Sequence, residues 1–251
     1  MAQAQALVPL KDLVRAKTRL AGLLGPSERR ALAQAMVEDV LSVLGAHPDI
    51  SGITLVSDDP GAPLLASKYG ATYWSEQSLG CSGLNAVIEC ASKRLLASTD
   101  DPLLVLHGDL PLLETADISA VLEVLEQHGS LVIGSDSAGT GTNLLGFSKS
   151  SVVPFRFGSN SCQAHQQEAR KAGVRADILQ RSGIAVDVDE AMDLQELMEK
   201  LNSRPKSNTF ALLCGTDLGA RVELALATLH GKQSVEPVSD AENDSNEGMA
   251  S

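Results

Sequence analysis

No apolar run in this 251-residue chain approaches the roughly 18 residues that a membrane span needs, so no membrane partner is expected. The opening Met1-Ala2-Gln3-Ala4-Gln5 lacks both the basic stretch and the long apolar core of a secretory signal, and the expected location is the cytoplasm. Cysteine is sparse. Cys81, Cys90, Cys162 and Cys214 form no C-x-x-C pair, which argues against a zinc or redox site and leaves free thiols in a reducing compartment as the expectation. Positive charge is short too: 20 Lys and Arg stand against 32 Asp and Glu, and a net charge of -12 disfavours a nucleic-acid polymer, whose phosphates require a basic face. Two nucleotide-binding signatures are also missing. No Walker loop occurs, and Gly139-Thr140-Gly141-Thr142-Asn143 is not the dinucleotide fingerprint, because Gly146 comes too late and no helix follows.

What is present organises itself around Pro102 to Pro111. Leu103 to His107 are apolar or nearly so with no polar alternation, the pattern of a strand buried on both faces of a parallel sheet. Gly108 then frees the backbone to turn, and Asp109 delivers a carboxylate to the sheet's carboxyl edge, where open α/β folds bind ligands. A plain turn or helix-capping aspartate is the alternative. Further strands are expected at Ala6–Leu10, Ile53–Val56, Ala71–Trp74 and Leu131–Gly134, with Trp74 in the core. Helices are expected from Pro26 to about Gly45, from Gly83 to about Ala97, and from Thr115 onward. This alternation predicts a doubly wound, mostly parallel, Rossmann-like α/β sheet. Residues 1–202 are expected to form that domain and 203–230 an extension of unassigned role. Residues 231–251, with five acids and one lysine, are expected to form a disordered tail.

Four places carry candidate chemistry. Lys11, Arg15, Lys17 and Arg19 crowd against the single acid Asp12 just after the first strand, as a phosphate cradle or a solvated loop. Asn85, in the first turn after Gly83, is either a cap or a contact to a nucleotide at a helix N-terminus. Phe155-Arg156-Phe157-Gly158-Ser159-Asn160-Ser161 precedes a polar helix, and a cap by Ser159 or Ser161 would gather hydroxyl, N–H groups and Arg156 around a phosphate; a bare serine cap is the alternative. His165 on that helix is read as a surface or packing residue. Ile184 to Asp189 is expected to be a sixth strand whose period of two turns Asp187 and Asp189 to one side, and these with Asp109 could converge on one cation. Oxygen-only ligands suit Mg²⁺. A helix capped by Asp193-x-x-Glu196 should follow, with Phe210–Cys214 and Val222, Leu226 and Leu229 in a final element.

Taken together, Val8-Pro9-Leu10-Lys11 with Ala16-Lys17-Thr18-Arg19-Leu20, Gly83-Leu84-Asn85, Gly108-Asp109-Leu110-Pro111, Gly139 to Asn143, Phe155 to Gly158 with Ser161, and Asp187-Val188-Asp189 resemble the 2-phospho-L-lactate or phosphoenolpyruvate guanylyltransferases of coenzyme F-420 biosynthesis. The resemblance spans roughly Val8 to Leu201 and places the sheet within the nucleotidyltransferase type. It implies transfer of GMP from GTP to the phosphate of a small phospho-acid, with loss of pyrophosphate. It further implies Mg²⁺ at Asp109, Asp187 and Asp189, with Asp109, Asp187 and Lys17 catalytic. Pro9, Lys11, Lys17, Arg19, Gly83 and Asn85 would meet the nucleotide, and Thr142, Arg156, Gly158 and Ser161 the phospho-acid. Three departures stand out: His107-Gly108 where Pro-Ala is usual, Cys162 where a bulkier apolar residue is common, and Glu190-Ala191 where Thr-Pro often opens the last helix. Phosphoenolpyruvate, 2-phospholactate and 3-phosphoglycerate all remain open as acceptors, and a homodimer is allowed. The other readings are a transferase of the same fold for a sugar phosphate or molybdopterin, and a non-catalytic nucleotide-binding partner protein.

Overall fold

The computed structural model describes residues 3–11, 13 and 17–233; of the basic stretch, residues 12 and 14–16 lie outside, as do 234–251 of the expected tail. Strand β1 (Ala4–Pro9) is followed by the long helix α1 (Pro26–Ala46), with Pro26 at its first turn and the Glu28 side chain accepting from the Gly25 N–H at 2.8 Å. The chain continues through β2 (Ile50–Val56), α2 (Ala62–Lys68), β3 (Thr72–Trp74), α3 (Glu76–Leu79), α4 (Leu84–Leu96) and β4 (Leu103–Leu106). Then come α5 (Thr115–His128), β5 (Leu131–Ser135), β6 (Thr142–Phe147), α6 (Ser161–Ala172) and β7 (Ala176–Leu179). Last are α7 (Ser182–Ala185), α8 (Ala191–Lys200), α9 (Asn208–Cys214) and α10 (Leu218–Gln233).

Seven strands form one sheet in the order β3-β2-β1-β4-β6-β5-β7. All pairings are parallel except those of β6, which runs antiparallel to both β4 and β5. β4 is fully buried, as its unbroken apolar run requires of a central strand. One core packs α1, α2 and α5 on one face of the sheet through Val37, Leu41, Val121 and Leu125, and a second packs α4 and α6 on the other through Ile88, Phe147, Phe155 and Ala169. A third joins α1 to the C-terminal helices: Leu32 and Met36 meet Leu197, Leu213, Val222 and Leu226. Buried Asp39 of α1 accepts from the backbone N–H groups of Asn208 and Thr209 at 2.6 and 3.0 Å, so it satisfies the free amides that open α9.

Four local expectations need correction. Ile184 to Asp189 is not a strand: α7 ends at Ala185, and 186–189 run outside any ladder. The seventh strand is Ala176–Leu179 instead, a half-buried edge strand paired only with β5. Neither Ser159 nor Ser161 caps α6; Asn160 is the N-cap, in the left-handed region at φ 54°, and makes no side-chain cap bond. The α8 cap lies one turn earlier than Asp193 and Glu196, since Glu190 is the N-cap and the Asp193 carboxylate accepts from the Glu190 N–H at 2.7 Å. Finally, Cys81 and Cys90 are joined by a disulfide rather than free, while Cys162 is a buried thiol and Cys214 an exposed one. Trp74 is half-buried, with the Arg94 guanidinium 4.4 Å from its ring centre.

Candidate active site

The carboxyl ends of β1 and β4 and the opening residue of β6 meet at one edge of the sheet. Because β6 is reversed, its N-terminal Thr142 lies beside the C-terminal end of β4, where the His107 N–H donates to the Asn143 carbonyl at 3.0 Å. Around this edge is a cavity of about 790 Å³. Its wall includes Pro9, Lys11, Lys17 and Arg19 from the loop after β1, and His107, Gly108 and Asp109 from the end of β4. Thr142 and Asn143 come from β6, Gly158, Ser159 and Ser161 from the approach to α6, and Asp187 and Asp189 from the segment after α7.

Gly108 lies close against α1, since a Cβ there would lie 2.8 Å from Cγ2 of Val37 and that side chain would have to shift. The turn it permits sets Asp109 against the ammonium of Lys17, to which the carboxylate is ion-paired. Lys17 Nζ also donates to Asp189 Oδ1 at 2.9 Å, and its side chain is only 7% exposed. Burial alone would lower the pKa of that ammonium; the charges of Asp109 and Asp189 outweigh it and raise the value. Lys17 is held at φ 54°, a backbone conformation that costs a non-glycine residue about 1 kcal/mol or more. Asp59, at the end of β2, helps fix this loop by accepting from the Leu13 N–H at 2.8 Å, and it also accepts from Gly61 N–H at 2.7 Å ahead of α2.

The carboxylates are unequal. Burial alone would raise Asp109, yet the Lys17 charge keeps it below the ordinary carboxylate range. Asp187 is pushed up to about 6, first by burial and then by the negative charge of Asp109, although Asn143 Nδ2 donates to its Oδ1 at 3.1 Å. Val186 and Val188 are buried in the third core, so the alternation read from the sequence survives without a strand: the valines anchor and the acids face the cavity. Asp109 Oδ1 is buried and has no hydrogen-bond partner among the described residues. Neither has Nε2 of His107, whose ring lies 5.3 Å from that of Phe157. Among the described residues no three His, Cys, Asp or Glu side chains are gathered closely enough to hold a metal ion; the Lys17 ammonium instead bridges Asp109 and Asp189.

Of the residues singled out from sequence, Pro9, Lys11, Lys17, Arg19, Asp109, Thr142, Gly158, Ser161, Asp187 and Asp189 line this one cavity. Gly83, Asn85 and Arg156 do not. Gly83, at φ 84°, precedes α4. Asn85 turns its amide to the backbone of Phe157, donating from Nδ2 to the carbonyl at 3.0 Å and accepting the N–H on Oδ1 at 2.7 Å. Arg156 is exposed beside Glu168, 3.5 Å away. Arg19 is paired at the rim with Glu190 at 2.8 Å. Asn143 and Asp136 also line the cavity and were not anticipated; the polar Asn143 inside an otherwise apolar strand was the signal for the first.

With this geometry in view, the sequence profile of the family described as guanylyl transferase CofC like matches residues 4–213. The chain belongs to that family. It is therefore an enzyme of the guanylyl-transferring, nucleotidyltransferase class, and the match continues past Asn202 into α9. The phosphoenolpyruvate guanylyltransferase of Rubrobacter xylanophilus is 37% identical over 76% of this chain and 92% of its own. The 2-phospho-L-lactate guanylyltransferase of Methanothermobacter thermautotrophicus is 31% identical over 77% and 83% of the two chains. The 3-phospho-D-glycerate guanylyltransferase of Phenylobacterium zucineum is 32% identical over 77% and 89%. In structure the chain is similar to a Desulfovibrio desulfuricans protein described as a nucleotide-diphospho-sugar transferase, with a TM-score of 0.75 at 23% identity over 90% and 99% of the chains. That likeness shows the α/β fold expected from sequence.

Proposed function

We propose that this member of the CofC-like family transfers GMP from GTP to the phosphate of a small phosphorylated carboxylic acid, releasing pyrophosphate, with Mg²⁺, in the cytoplasmic synthesis of coenzyme F-420. The observation that carries the reading is the polarity of the cavity. Lys11, Lys17 and Arg19, the small or hydroxyl-bearing Thr142, Gly158 and Ser161, and the acids Asp109, Asp187 and Asp189 all line it. Relatives named for three different phospho-acids support the acceptor class without choosing among them.

An oxygen of the acceptor phosphate bonds to the α-phosphorus of GTP as the bond to the pyrophosphate oxygen breaks. Two anions must meet, so alignment and charge neutralisation supply most of the catalysis. Lys11, Lys17 and Arg19 would hold the triphosphate, and Thr142, Gly158 and Ser161 would orient the acceptor opposite it. The unpartnered, buried Oδ1 of Asp109 and the crowded carboxylate of Asp187 fit a hard divalent cation that takes a few carboxylates and completes its shell with phosphate oxygens and water. Asp109, Asp187 and Asp189 would hold Mg²⁺, which when bound neutralises the phosphate oxygens as a Lewis acid.

The test is pyrophosphate release with GTP or ATP against phosphoenolpyruvate, 2-phospholactate and 3-phosphoglycerate, each with and without Mg²⁺. One acceptor is expected to support release with GTP. Absence of release with all three overturns the reading.

A further inference from the structure

We infer that His165 is a positioning residue for the acceptor: held unprotonated at Nε2, it turns the hydroxyl proton of Thr142 toward the cavity and pins the backbone that carries Gly158. The inference rests on the acceptor side proposed above and goes beyond it. His165 is 0% exposed and sits on α6, behind the cavity wall. Its Nε2 lies 2.9 Å from the backbone nitrogen of Arg156. A backbone N–H can only donate, so Nε2 must accept and carries no proton. In the neutral ring the proton is then on Nδ1, which faces Thr142 Oγ1 at 3.1 Å. Thr142 Oγ1 therefore accepts a hydrogen bond from His165, whose N–H it shares with the Ser161 carbonyl, and cannot direct its own proton there. Among the described residues it has no other side-chain partner, so the hydroxyl proton is left to donate to an anionic oxygen in the cavity.

The same imidazole holds the adjoining backbone. Phe157 packs its ring edge-on against His165 at 5.0 Å, and its N–H and carbonyl are clamped from the other side by Asn85. Gly158, at φ 135°, follows directly. His165 thus joins two parts of the acceptor wall that lie on different elements, and Asn85 acts on that wall through Phe157.

The experiment compares His165→Phe, Thr142→Val and the double variant by steady-state kinetics in GTP and in whichever acceptor the native enzyme uses. Each single change is expected to raise the KM for the acceptor about tenfold to a hundredfold, the cost of losing a hydrogen bond to a charged group, while the KM for GTP moves less than about twofold. The double variant should be hardly worse than the poorer single, because both changes remove one donor. Additive losses, or a GTP KM raised as much as that of the acceptor, overturn the inference. Should His165→Phe fail to fold, as judged by circular dichroism, His165→Leu carries the same test, and His165→Gln, which keeps a donor and an acceptor, should restore the acceptor KM in part. A native enzyme that releases no pyrophosphate with any phospho-acid would instead defeat the proposed function itself.

Discussion

Lys17 is the residue on which the site's charges balance. Its ammonium joins Asp109 to Asp189, carboxylates 80 residues apart in sequence, and does so from a strained backbone. Asp109→Asn keeps the side chain's shape but removes the charge, so turnover should fall about a hundredfold or more with the fold retained by circular dichroism and the melting temperature lowered, since buried Lys17 loses a charge partner; retained turnover in a pyrophosphate assay would remove Asp109 from the chemistry. His165 supplies one part of the pH dependence. Burial pushes its imidazole down to about 4 from the ordinary 6.5, the Ser161 carbonyl opposing and the Arg156 charge adding to the effect. The unfolded chain therefore binds a proton between pH 6.5 and 4 that the folded chain refuses, and stability falls as pH drops through that window. Urea titrations of native protein and His165→Gln should show their stability gap narrowing by about 3 kcal/mol from pH 7 to pH 4.

Among the elements, β4 and α1 were legible because their signals are local: a four-residue apolar strand needs no partner information, and Pro26 with Glu28 announces a helix start. β7 was not. Ala-Asp-Ile-Leu at a sheet edge buries little and carries a charge, so its pairing with β5 leaves no trace in composition. The Val-Asp-Val-Asp alternation was read as a strand because an extended segment shows the same period whether or not a neighbour hydrogen-bonds to it; the shared side of Asp187 and Asp189 came out right for that reason. The reversed β6 is tightly enclosed at Gly146. Gly146 lies where a Cβ would be 3.0 Å from Val121 Cγ1, 3.1 Å from Leu125 Cδ1 and 3.2 Å from Leu104 Cδ2. Gly146→Ala should cost about 1–3 kcal/mol by chemical denaturation, and a neutral result would show that α5 yields easily.

For the whole molecule, the C-terminal helices complete the third core rather than hang from it. We propose that residues 203–230 support the domain formed by 1–202. A chain ended at Asn202 would expose Leu32 and Met36 and leave buried Asp39 without the amides of Asn208 and Thr209. It should be less stable by about 4 kcal/mol or more, read as a lower urea midpoint; an unchanged midpoint would make these helices an appendage. Which contacts these are could not be read from sequence, since Asp39 and Asn208 stand 169 positions apart and neither is unusual where it stands.

The direction of β6 has one more consequence. The chain reaches the cavity's rim along β1 and β4 but leaves it along β6, after the turn Asp136 to Gly141, in which the Asp136 carboxylate accepts from the Thr140 N–H at 2.8 Å. Insertions or replacements in that short connection would therefore reshape the bay next to Thr142 while leaving the basic loop after β1 untouched. On the proposed function, diversity in what is modified can accumulate there independently of the nucleotide that is spent.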